Sequence, residues 1–388
     1  MVIKKNILMK IGLVYHQFPL YAGGSHIQDF IVSLSKNKQI QNITLIAKHY
    51  PKVPIKLPKK IKIIFIPNIK IPILDDLFFI ISSFFAMLFS SDFRKSDLVN
   101  VICARGIPSS FLFTKIFKKP LIATIEILND PKNNPSLSSK VSYFVQKFYY
   151  SKIRFNKIIC WAKFYYQKYL KKWGIDKNKV SFISNGINTS QYHPKISGKQ
   201  IKYKYSPHNP LIVFAKPLYK YNFLSVKLLL SVVKKLKDAN YPIHLLLGKG
   251  KYLPQTQNII KKLKIKKYVS FMPFVPMTEI PKYIAASDIM VLPYLYHPTV
   301  SRSLLEAMST GKAILTSNLG EIPYVLTHQK DAIVIKPTVN NLVKNIKYLL
   351  KNPDIAKQLG KNARIKCQKL YSFDKISKDT VNLYQKIE

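Results

Sequence analysis

An alternation of short apolar runs with helix-like segments constrains the fold most, because it occurs twice along the chain. In the first half, runs rich in β-branched residues fall at residues 10–14, 42–47, 61–66, 97–102, 120–125, 156–160 and 179–183. Helix-like segments separate them, at residues 25–36, 74–91, 107–118, 137–154 and 163–173. Continuous apolar runs joined by helices are typical of parallel strands that are covered on both faces. The pattern therefore predicts a doubly wound α/β domain.

The same rhythm begins again after a polar stretch. Residues 191–210 are rich in Pro, His and Lys, and the runs LIVFAK, IHLLLG, YVSFMP, DIMVLP, KAILTS and DAIVIK follow them. A chain of 388 residues has room for two such domains. We predict an N-terminal Rossmann-like domain at residues 1–190, a linker at 191–210, a C-terminal Rossmann-like domain at 211–370, and a last helix at 371–388 that packs back across the joint.

The charge is strongly one-sided, with 63 Lys and Arg against 18 Asp and Glu and a net charge of +45. Residues 1–200 contribute +24 and the remainder +21, so no basic tail is appended to a neutral body. A spread charge without a recognised binding module argues against a specific nucleic-acid partner. It favours an anionic membrane surface or a phosphate-bearing substrate, while leaving open a protein that binds polyanions without selectivity.

The cysteines and the apolar segments bear on location. Cys103, Cys160 and Cys367 are odd in number and far apart, so they predict neither a disulfide framework nor a zinc site. The N-terminus lacks the apolar core of a signal peptide because Lys10 interrupts it. Residues 77–91 are uncharged but would span only about 22 Å as a helix, short of a bilayer core of about 30 Å. We expect a cytoplasmic protein that is peripheral at the inner face of the cell membrane.

Glycines mark one candidate site, because ligands of parallel sheets bind beyond the carboxyl ends of strands. Gly23 and Gly24 lie in the first such loop, directly before a helix, where the backbone can approach a phosphate. The loop lacks the G-x-G-x-x-G pattern, so no dinucleotide cofactor is predicted. A tight turn that needs glycine is the alternative. Gly248 follows a later strand and allows either a base-binding bend or a simple turn.

Charged residues mark a second candidate site in the C-terminal half. Lys216 and Lys220 follow a strand and suit a diphosphate, although two lysines are also expected by chance in so basic a chain. Glu306 is one of five glutamates and stands among apolar neighbours near the start of a predicted helix. Its carboxylate can accept hydrogen bonds from the vicinal hydroxyls of a ribose, or it can simply complement the helix dipole.

Three segments in this order resemble the GT-B glycosyltransferases of family 4, a retaining group that uses nucleotide sugars. GGSHIQDFIVSL is similar to the family's G-G opening, and FISNGINTSQYHP is similar to its hinge strand with N-G. SLLEAMSTGKAILTSNLGEIPYVL resembles its L-E-A-M block, and LLLGKGKYL between them resembles its L-x-I-x-G-x-G turn. The resemblance covers essentially the whole chain. It implies two doubly wound domains that face a central cleft.

The resemblance also implies a donor site and a mechanism. Gly23 and Gly24 would lie near the donor phosphates, with Lys216 and Lys220 as catalytic cations at the diphosphate. Glu306 would bind the ribose hydroxyls. The remaining donor-binding residues implied are Gly248, Phe274, Val275, Ser301, Arg302 and Leu305. Neither a metal nor another cofactor is expected, because cationic side chains neutralise the leaving group.

The chain departs from the family pattern at several positions. The family usually has a second acidic residue eight positions before its glutamate, where this chain has Pro298. Lys216 replaces an arginine, which keeps the charge but loses the bidentate geometry. Lys220 aligns only approximately. Glu126 stands where many members have His, and it is either a catalytic group near the reacting sugar or a solvated loop carboxylate.

The resemblance implies transfer of a sugar from UDP-sugar or GDP-sugar to an acceptor hydroxyl with retention, in the synthesis of a cell-surface polysaccharide, a glycolipid or a lipid-linked glycan. Residues 77–91, between basic residues, have the composition of a contact with anionic lipid or of a core helix. Those basic residues are Lys56, Lys59, Lys60, Lys62, Lys70, Arg94 and Lys95. The alternatives are a catalytically weakened GT-B partner subunit and a membrane- or polyanion-binding protein.

Overall fold

A computed structural model describes residues 8–18, 26–49, 57–69, 71–130, 136–295 and 299–387. The chain forms two compact units. The first comprises Met1–Gly186 and Phe373–Glu388, and the second comprises Ile187–Ser372. The predicted linker at 191–210 lies inside the second unit, where Lys199–Tyr205 form a helix. The last helix belongs to the first unit.

The described residues of the first unit form seven strands, β1 to β7, and seven helices. The strands are β1 (Met9–Phe18), β2 (Ile40–His49), β3 (Ile61–Ile66), β4 (Leu98–Val101), β5 (Leu121–Ile125), β6 (Lys157–Cys160) and β7 (Val180–Phe182). The helices in the first part of the chain are α1 (His26–Lys36), α2 (Pro72–Phe89), α3 (Ser91–Arg94), α4 (Ile107–Ile116), α5 (Leu137–Lys152) and α6 (Lys163–Tyr165), which continues as π-helical Tyr166–Leu170. Short 3-10 turns occupy Ala104–Gly106 and Lys177–Lys179.

The seven strands form one parallel sheet in the order β3-β2-β1-β4-β5-β6-β7. Every described residue of β4 and β5 is buried, as expected for strands that are covered on both faces. The chain moves one way across the sheet from β1 to β3 and the other way from β4 onwards. Because crossovers between parallel strands are right-handed, α1 lies on one face and α2, α4 and α5 lie on the other. The packing of α2 against α4 agrees with this arrangement.

The C-terminal helix, which we label α15 (Phe373–Tyr384), packs against α1. Its Tyr384 is buried and its hydroxyl accepts a hydrogen bond of 2.6 Å from Asn100 in β4. The Ser33 hydroxyl of α1 donates to the Phe373 carbonyl at 3.0 Å. Polar bonds and apolar burial together therefore fix the end of the chain to the first unit.

The second unit repeats the doubly wound plan. Its strands are β8 (Leu211–Phe214), β9 (His244–Leu247), β10 (Val269–Phe271), β11 (Met290–Leu292), β12 (Ile314–Ser317) and β13 (Ile333–Ile335). Its helices are α7 (Lys199–Tyr205), α8 (Lys220–Asp238), α9 (Leu253–Lys262), α10 (Ile280–Ala286), α11 (Arg302–Ser309), α12 (Ile322–Val325), α13 (Val339–Lys351) and α14 (Pro353–Tyr371), with a 3-10 turn at Lys266–Tyr268.

These strands form two parallel three-stranded sheets, β10-β9-β8 and β11-β12-β13. A parallel bridge between Ile212 and Ile289 joins β8 to β11, which gives the strand order of a Rossmann fold. The sequence expectation of two doubly wound Rossmann-like domains is confirmed. In the described part of the chain, none of the helices has the length and apolar character needed to span a bilayer.

Candidate functional site

The order of the strands places a site in the second unit where the direction of winding reverses. This reversal lies between β8 and β11, and parallel sheets bind ligands beyond the carboxyl ends of strands at such a point. Lys216 follows β8 and Tyr294 follows β11. The Lys216 Nζ lies 4.7 Å from the centroid of the Tyr294 ring, which holds the cation at this point by a cation–π contact.

Glu306 lies in α11, the helix that follows this edge. Ser301 caps the helix by accepting a hydrogen bond of 3.1 Å from the Leu304 N–H. The Glu306 side chain is buried, and its Oε1 accepts from the Tyr192 hydroxyl at 3.0 Å and from Arg302 Nε at 3.1 Å. The carboxylate is therefore paired with two donors and held in one orientation.

Burial of the site shifts the pKa values of its side chains. Burial lowers the pKa of Lys216 to about 8, against the opposite effect of the Glu306 carboxylate. Burial, together with the Glu306 charge, raises the pKa values of Tyr192 and Tyr294, so both phenols stay protonated and can donate. The Tyr294 hydroxyl is hydrogen-bonded to Ser301. Lys216 and Glu306 thus form an electrostatically coupled pair.

Two glycines set the shape of the loop that carries Lys216. A Cβ at Gly248 would meet the carbonyl oxygen of Lys216 at 2.5 Å, and one at Gly250 would meet the Leu218 nitrogen at 2.5 Å. The Leu218 carbonyl also accepts a hydrogen bond of 2.9 Å from the Tyr252 N–H. Gly248 and Gly250 are therefore needed for the backbone of one loop to approach that of the other.

A cavity of about 370 Å³ opens at this edge of the second unit. It is lined by Tyr294, Leu295, Asn318, Leu319, Lys336 and Pro337. Tyr294 is shared between the cavity and the cation–π contact with Lys216. The cavity therefore adjoins the cationic end of the site, and its residues follow three successive strands of the sheet.

Other predicted site residues lie elsewhere in the second unit. Lys220 is exposed at the first residue of α8. Phe274 is highly exposed and Val275 is partly buried in the segment after β10. Leu305 is fully buried in the apolar core, where it fixes the position of α11. The ligand-binding roles of all four stay predictions.

Some of the predicted residues lie outside the second unit or outside the described residues. Gly23, Gly24 and Pro298 are outside the described residues. In the first unit, Glu126 follows β5, is partly buried, and accepts a hydrogen bond of 3.2 Å from the Tyr15 hydroxyl. Its backing by Tyr15 favours a positioned carboxylate over a freely solvated one.

Sequence reasoning missed a group of charged residues at the same edge of the first sheet. Burial, together with the positive charges of Arg105 and Lys48, lowers the pKa of His16 to about 3, so the ring is neutral. Arg105 pairs with Asp76 at 2.9 Å, and buried Lys48 pairs with Asp75. The position of His16 at the carboxyl end of the first apolar run was the available signal.

Tyr192, the second donor to Glu306, was also missed, because the sequence suggested a linker there. Its carbonyl accepts from Arg364 at 2.8 Å and from the Ser309 hydroxyl at 2.6 Å. These bonds bring the start of the second unit against α11 and α14. Within the described ranges, no group of three or more His, Cys, Asp or Glu side chains is arranged to hold a metal ion.

Comparisons with known proteins agree with this architecture. Residues 202–366 match the family model for glycosyl transferases group 1. The chain is 23% identical over 215 residues to an uncharacterised glycosyltransferase of Methanocaldococcus jannaschii, covering 54% of each chain. It is 22% identical over 224 residues to spore coat protein SA of Bacillus subtilis, covering 54% of this chain and 59% of that protein. The chain thus spans little more than half the length of these two relatives.

Two solved structures share this fold over 97% of the chain. The Anabaena protein HepE in complex with UDP and glucose matches with a TM-score of 0.76 at 13% identity, covering 97% of this chain and all of that one. Sucrose-phosphate synthase from Thermosynechococcus elongatus matches with a TM-score of 0.79 at 16% identity, covering 97% and 98%. The chain therefore has the GT-B fold, and its residues 202–366 are similar to the glycosyl transferases of group 1.

Proposed function

We propose that this protein is a retaining glycosyltransferase that moves a sugar from a nucleoside diphosphate sugar, with UDP or GDP as leaving group, to an acceptor hydroxyl. The observation that carries the proposal is the contact of Lys216 with Tyr294, whose hydroxyl is hydrogen-bonded to Ser301 at the start of the helix that holds Glu306. These contacts place Lys216 and Glu306 at the reversal point of the second sheet, within the residues that match the group 1 family model. HepE, of the same fold, has been crystallised with UDP and glucose.

Each residue of the pair has a distinct task. Lys216 supplies the positive charge that stabilises the diphosphate as the bond from its oxygen to the anomeric carbon breaks. Among the described residues, both donors to Glu306 bond Oε1, so we assign Oε2 to the vicinal hydroxyls of the ribose. Arg302, bound to the same carboxylate, adds positive charge close to the donor.

Retention follows if the acceptor oxygen attacks from the side that the diphosphate leaves. In this mechanism the new C–O bond forms as the old one breaks, and the acceptor proton passes to the departing phosphate oxygen. No covalent enzyme intermediate and no metal are needed, because Lys216 and Arg302 carry the compensating charge. Glu126, positioned by Tyr15 in the first unit, is proposed to contact the acceptor or the reacting sugar.

The proposed acceptor is a glycan carried by a lipid or held at a membrane, with the enzyme peripheral at the inner face of the cell membrane. Helix α2 supports this proposal because its two faces differ. Phe79, Ser83 and Met87 are buried, whereas Leu77, Ile81, Phe85 and Phe89 are exposed and follow one another at helical spacing. The segment therefore has both a core face and an apolar outer face.

A thermal-shift screen with UDP, GDP, ADP and their sugar conjugates, at two salt concentrations and without metal, tests the donor site. We expect one base to give a salt-tolerant shift that Glu306→Ala removes. Glu279→Gln is the matched control, because Glu279 is a partly exposed glutamate of the same unit that pairs with Lys282 at 2.8 Å. Equal shifts from all polyanions that fade with salt would contradict a built donor site.

Turnover separates an enzyme from a weakened partner subunit. We expect Lys216→Ala to lower transfer from the selected donor by about two orders of magnitude, the scale of one preorganised electrostatic contact. Lys357→Ala, an exposed lysine of α14, is the control and should keep the wild-type rate. Selective binding without transfer or hydrolysis of any donor would favour the partner subunit and refute the enzyme.

A further inference from the structure

Helix α5 of the first unit turns an apolar stripe outward. Ser136 caps the helix by accepting a hydrogen bond of 3.2 Å from the Ser139 N–H. Val141, Phe144 and Phe148 follow at spacings of three and four residues, so they share one face. They are 53%, 65% and 58% exposed, and Leu137 and Val145 extend the stripe.

The stripe is not isolated. Because α2, α4 and α5 cover the same face of the sheet, the exposed Phe85 and Phe89 of α2 lie on that face too. Leu112 and Ile116 of α4, which packs against α2, are also about half exposed. Soluble monomers rarely expose apolar surface on three neighbouring helices, and such surfaces mark contacts with a membrane or another protein.

The charge around α5 decides between these occupants. The chain has no Asp or Glu between Asp130 and Asp176, a stretch that carries ten basic residues. They are Lys132, Lys140, Lys147, Lys152, Arg154, Lys157, Lys163, Lys168, Lys171 and Lys172. On α5 itself, Lys140, Lys147 and Lys152 are exposed. Aromatic residues among basic ones, without acidic residues, are typical of a surface that binds anionic lipid.

A basic cavity adjoins the end of the stripe. It has a volume of about 250 Å³, and Lys152, which stands four residues after Phe148, lines it. Arg154 and Lys179 also line it, and both are exposed. The one carboxylate on its wall belongs to Asp176 and accepts a hydrogen bond of 2.9 Å from the Asn178 N–H. The cavity thus offers three cations beside the apolar stripe.

We propose that α5 is a monotopic docking site for an anionic phospholipid membrane. The stripe from Leu137 to Phe148 enters the boundary between headgroups and acyl chains, and Lys152, Arg154 and Lys179 bind the phosphate of a lipid headgroup. This site is separate from α2 and does not depend on the proposed transfer reaction. Cations at one end and apolar side chains along the helix match the two layers of the lipid surface.

Flotation of the full-length protein with vesicles tests the site. We expect binding to vesicles of phosphatidylcholine with phosphatidylglycerol and little binding to phosphatidylcholine alone. Phe144→Glu with Phe148→Glu should lower partitioning by at least about tenfold. Ile355→Glu with Ile365→Glu, at two exposed apolar residues of α14, is the matched control and should bind as the wild type does. Wild-type flotation of the α5 variant would overturn the proposal.

The cavity is tested by reversing its charge. Lys152→Glu with Arg154→Glu changes the net charge by the same amount as Lys357→Glu with Lys361→Glu on α14. We expect the first pair to lower binding to the anionic vesicles by about tenfold and the second to lower it much less. Equal losses would mean that the overall charge, and not this cavity, attracts the membrane.

A labelling experiment does not depend on any loss of binding. The three native cysteines are buried, so Phe148→Cys provides one accessible thiol for an environment-sensitive fluorophore. We expect its emission to shift to the blue on anionic vesicles. No shift while the protein floats would place the membrane elsewhere and refute the α5 site. A stable dimer that Phe144→Glu dissolves would show that a second copy covers the stripe, which would also overturn it.

Discussion

The depressed pKa of Lys216 predicts that binding of a nucleoside diphosphate takes up a proton in mildly alkaline solution. Burial lowers this pKa to about 8, and the Glu306 carboxylate offsets only part of the effect. The phosphate charges of a ligand would raise the pKa again towards the ordinary value of 10.5. The ligand therefore binds the charged form of Lys216 and draws a proton from solution where the free protein has lost it.

The size of the effect follows from the shift. With a pKa of about 8, about nine in ten molecules carry neutral Lys216 at about pH 9, so binding there takes up nearly one proton. Affinity should fall by up to about tenfold per pH unit above about pH 8. Because the folded pKa lies below the unfolded one, charged Lys216 also destabilises the fold, by up to about 3 kcal/mol. This cost is complete below about pH 8 and disappears as the pH rises towards the unfolded pKa.

Isothermal calorimetry measures the affinity and the proton uptake with the nucleoside diphosphate that the thermal screen selects. Titrations at about pH 7 and about pH 9, each in two buffers of different ionisation enthalpy, give the affinity and the protons taken up. Lys216→Arg keeps its charge at both pH values, so its affinity should not change over this range. Lys357→Arg is the control, and its affinity should fall with pH as that of the wild type does. A wild-type affinity that is the same at both pH values would refute the link between binding and protonation of Lys216. The same fall of affinity with pH in Lys216→Arg would refute it too.

Three further predictions concern the free energy of unfolding, measured in urea at neutral pH. Gly248→Ala places a Cβ within 2.5 Å of the Lys216 carbonyl oxygen and should lower the free energy of unfolding by about 3 kcal/mol. Gly174→Ala, at φ +76° in open space, should lower it by about 1 kcal/mol. Equal losses would refute the steric argument. Tyr192→Phe removes a bond to a buried carboxylate and should cost about 2 kcal/mol, with no loss meaning that the bond is not formed in solution. Lys48→Met leaves Asp75 without its buried partner and should cost about 3 kcal/mol. Burial alone would raise the pKa of Asp75, but the hydrogen bond from Lys48 holds it below its usual value. The stabilisation by this pair is therefore present above about pH 4 and is lost as the pH falls through the pKa of folded Asp75. An acid unfolding curve that Lys48→Met leaves unchanged would contradict this prediction.

Much of the fold could be predicted because apolar runs identify buried parallel strands directly. The run at 61–66 is β3 (Ile61–Ile66), and the run at 97–102 contains β4 (Leu98–Val101). The stretch at 191–210 could not be read in this way. It is polar, yet it holds α7 and the buried Tyr192, whose burial depends on bonds to residues more than a hundred positions away.

The candidate site, like the fold, could be predicted only in part. Glu306 and Lys216 could be selected because each charge stands beside the end of a predicted strand or the start of a helix, where chemistry and position coincide. The electrostatic coupling of Lys216 and Glu306 could not be predicted, since it depends on how β8 and β11 become neighbours. The reason for Gly248 was equally hidden, because the Cβ that it avoids would meet the backbone of another loop.

The two apolar helices of the first unit show that a membrane contact depends on packing as well as on composition. The uncharged run at 77–91 suggests lipid because hydropathy averages over all sides of a helix, but Phe79, Ser83 and Met87 of that run are buried against the unit. Helix α5 is less apolar on average because its lysines lie among the exposed aromatic residues, and that mixture suits the headgroup layer. Packing decides which face of each helix remains outside. The flotation of two double variants distinguishes the two helices. If Phe144→Glu with Phe148→Glu in α5 abolishes flotation while Phe85→Glu with Phe89→Glu in α2 leaves it intact, α5 is the membrane contact. The reverse result assigns that contact to α2 and refutes the site on α5.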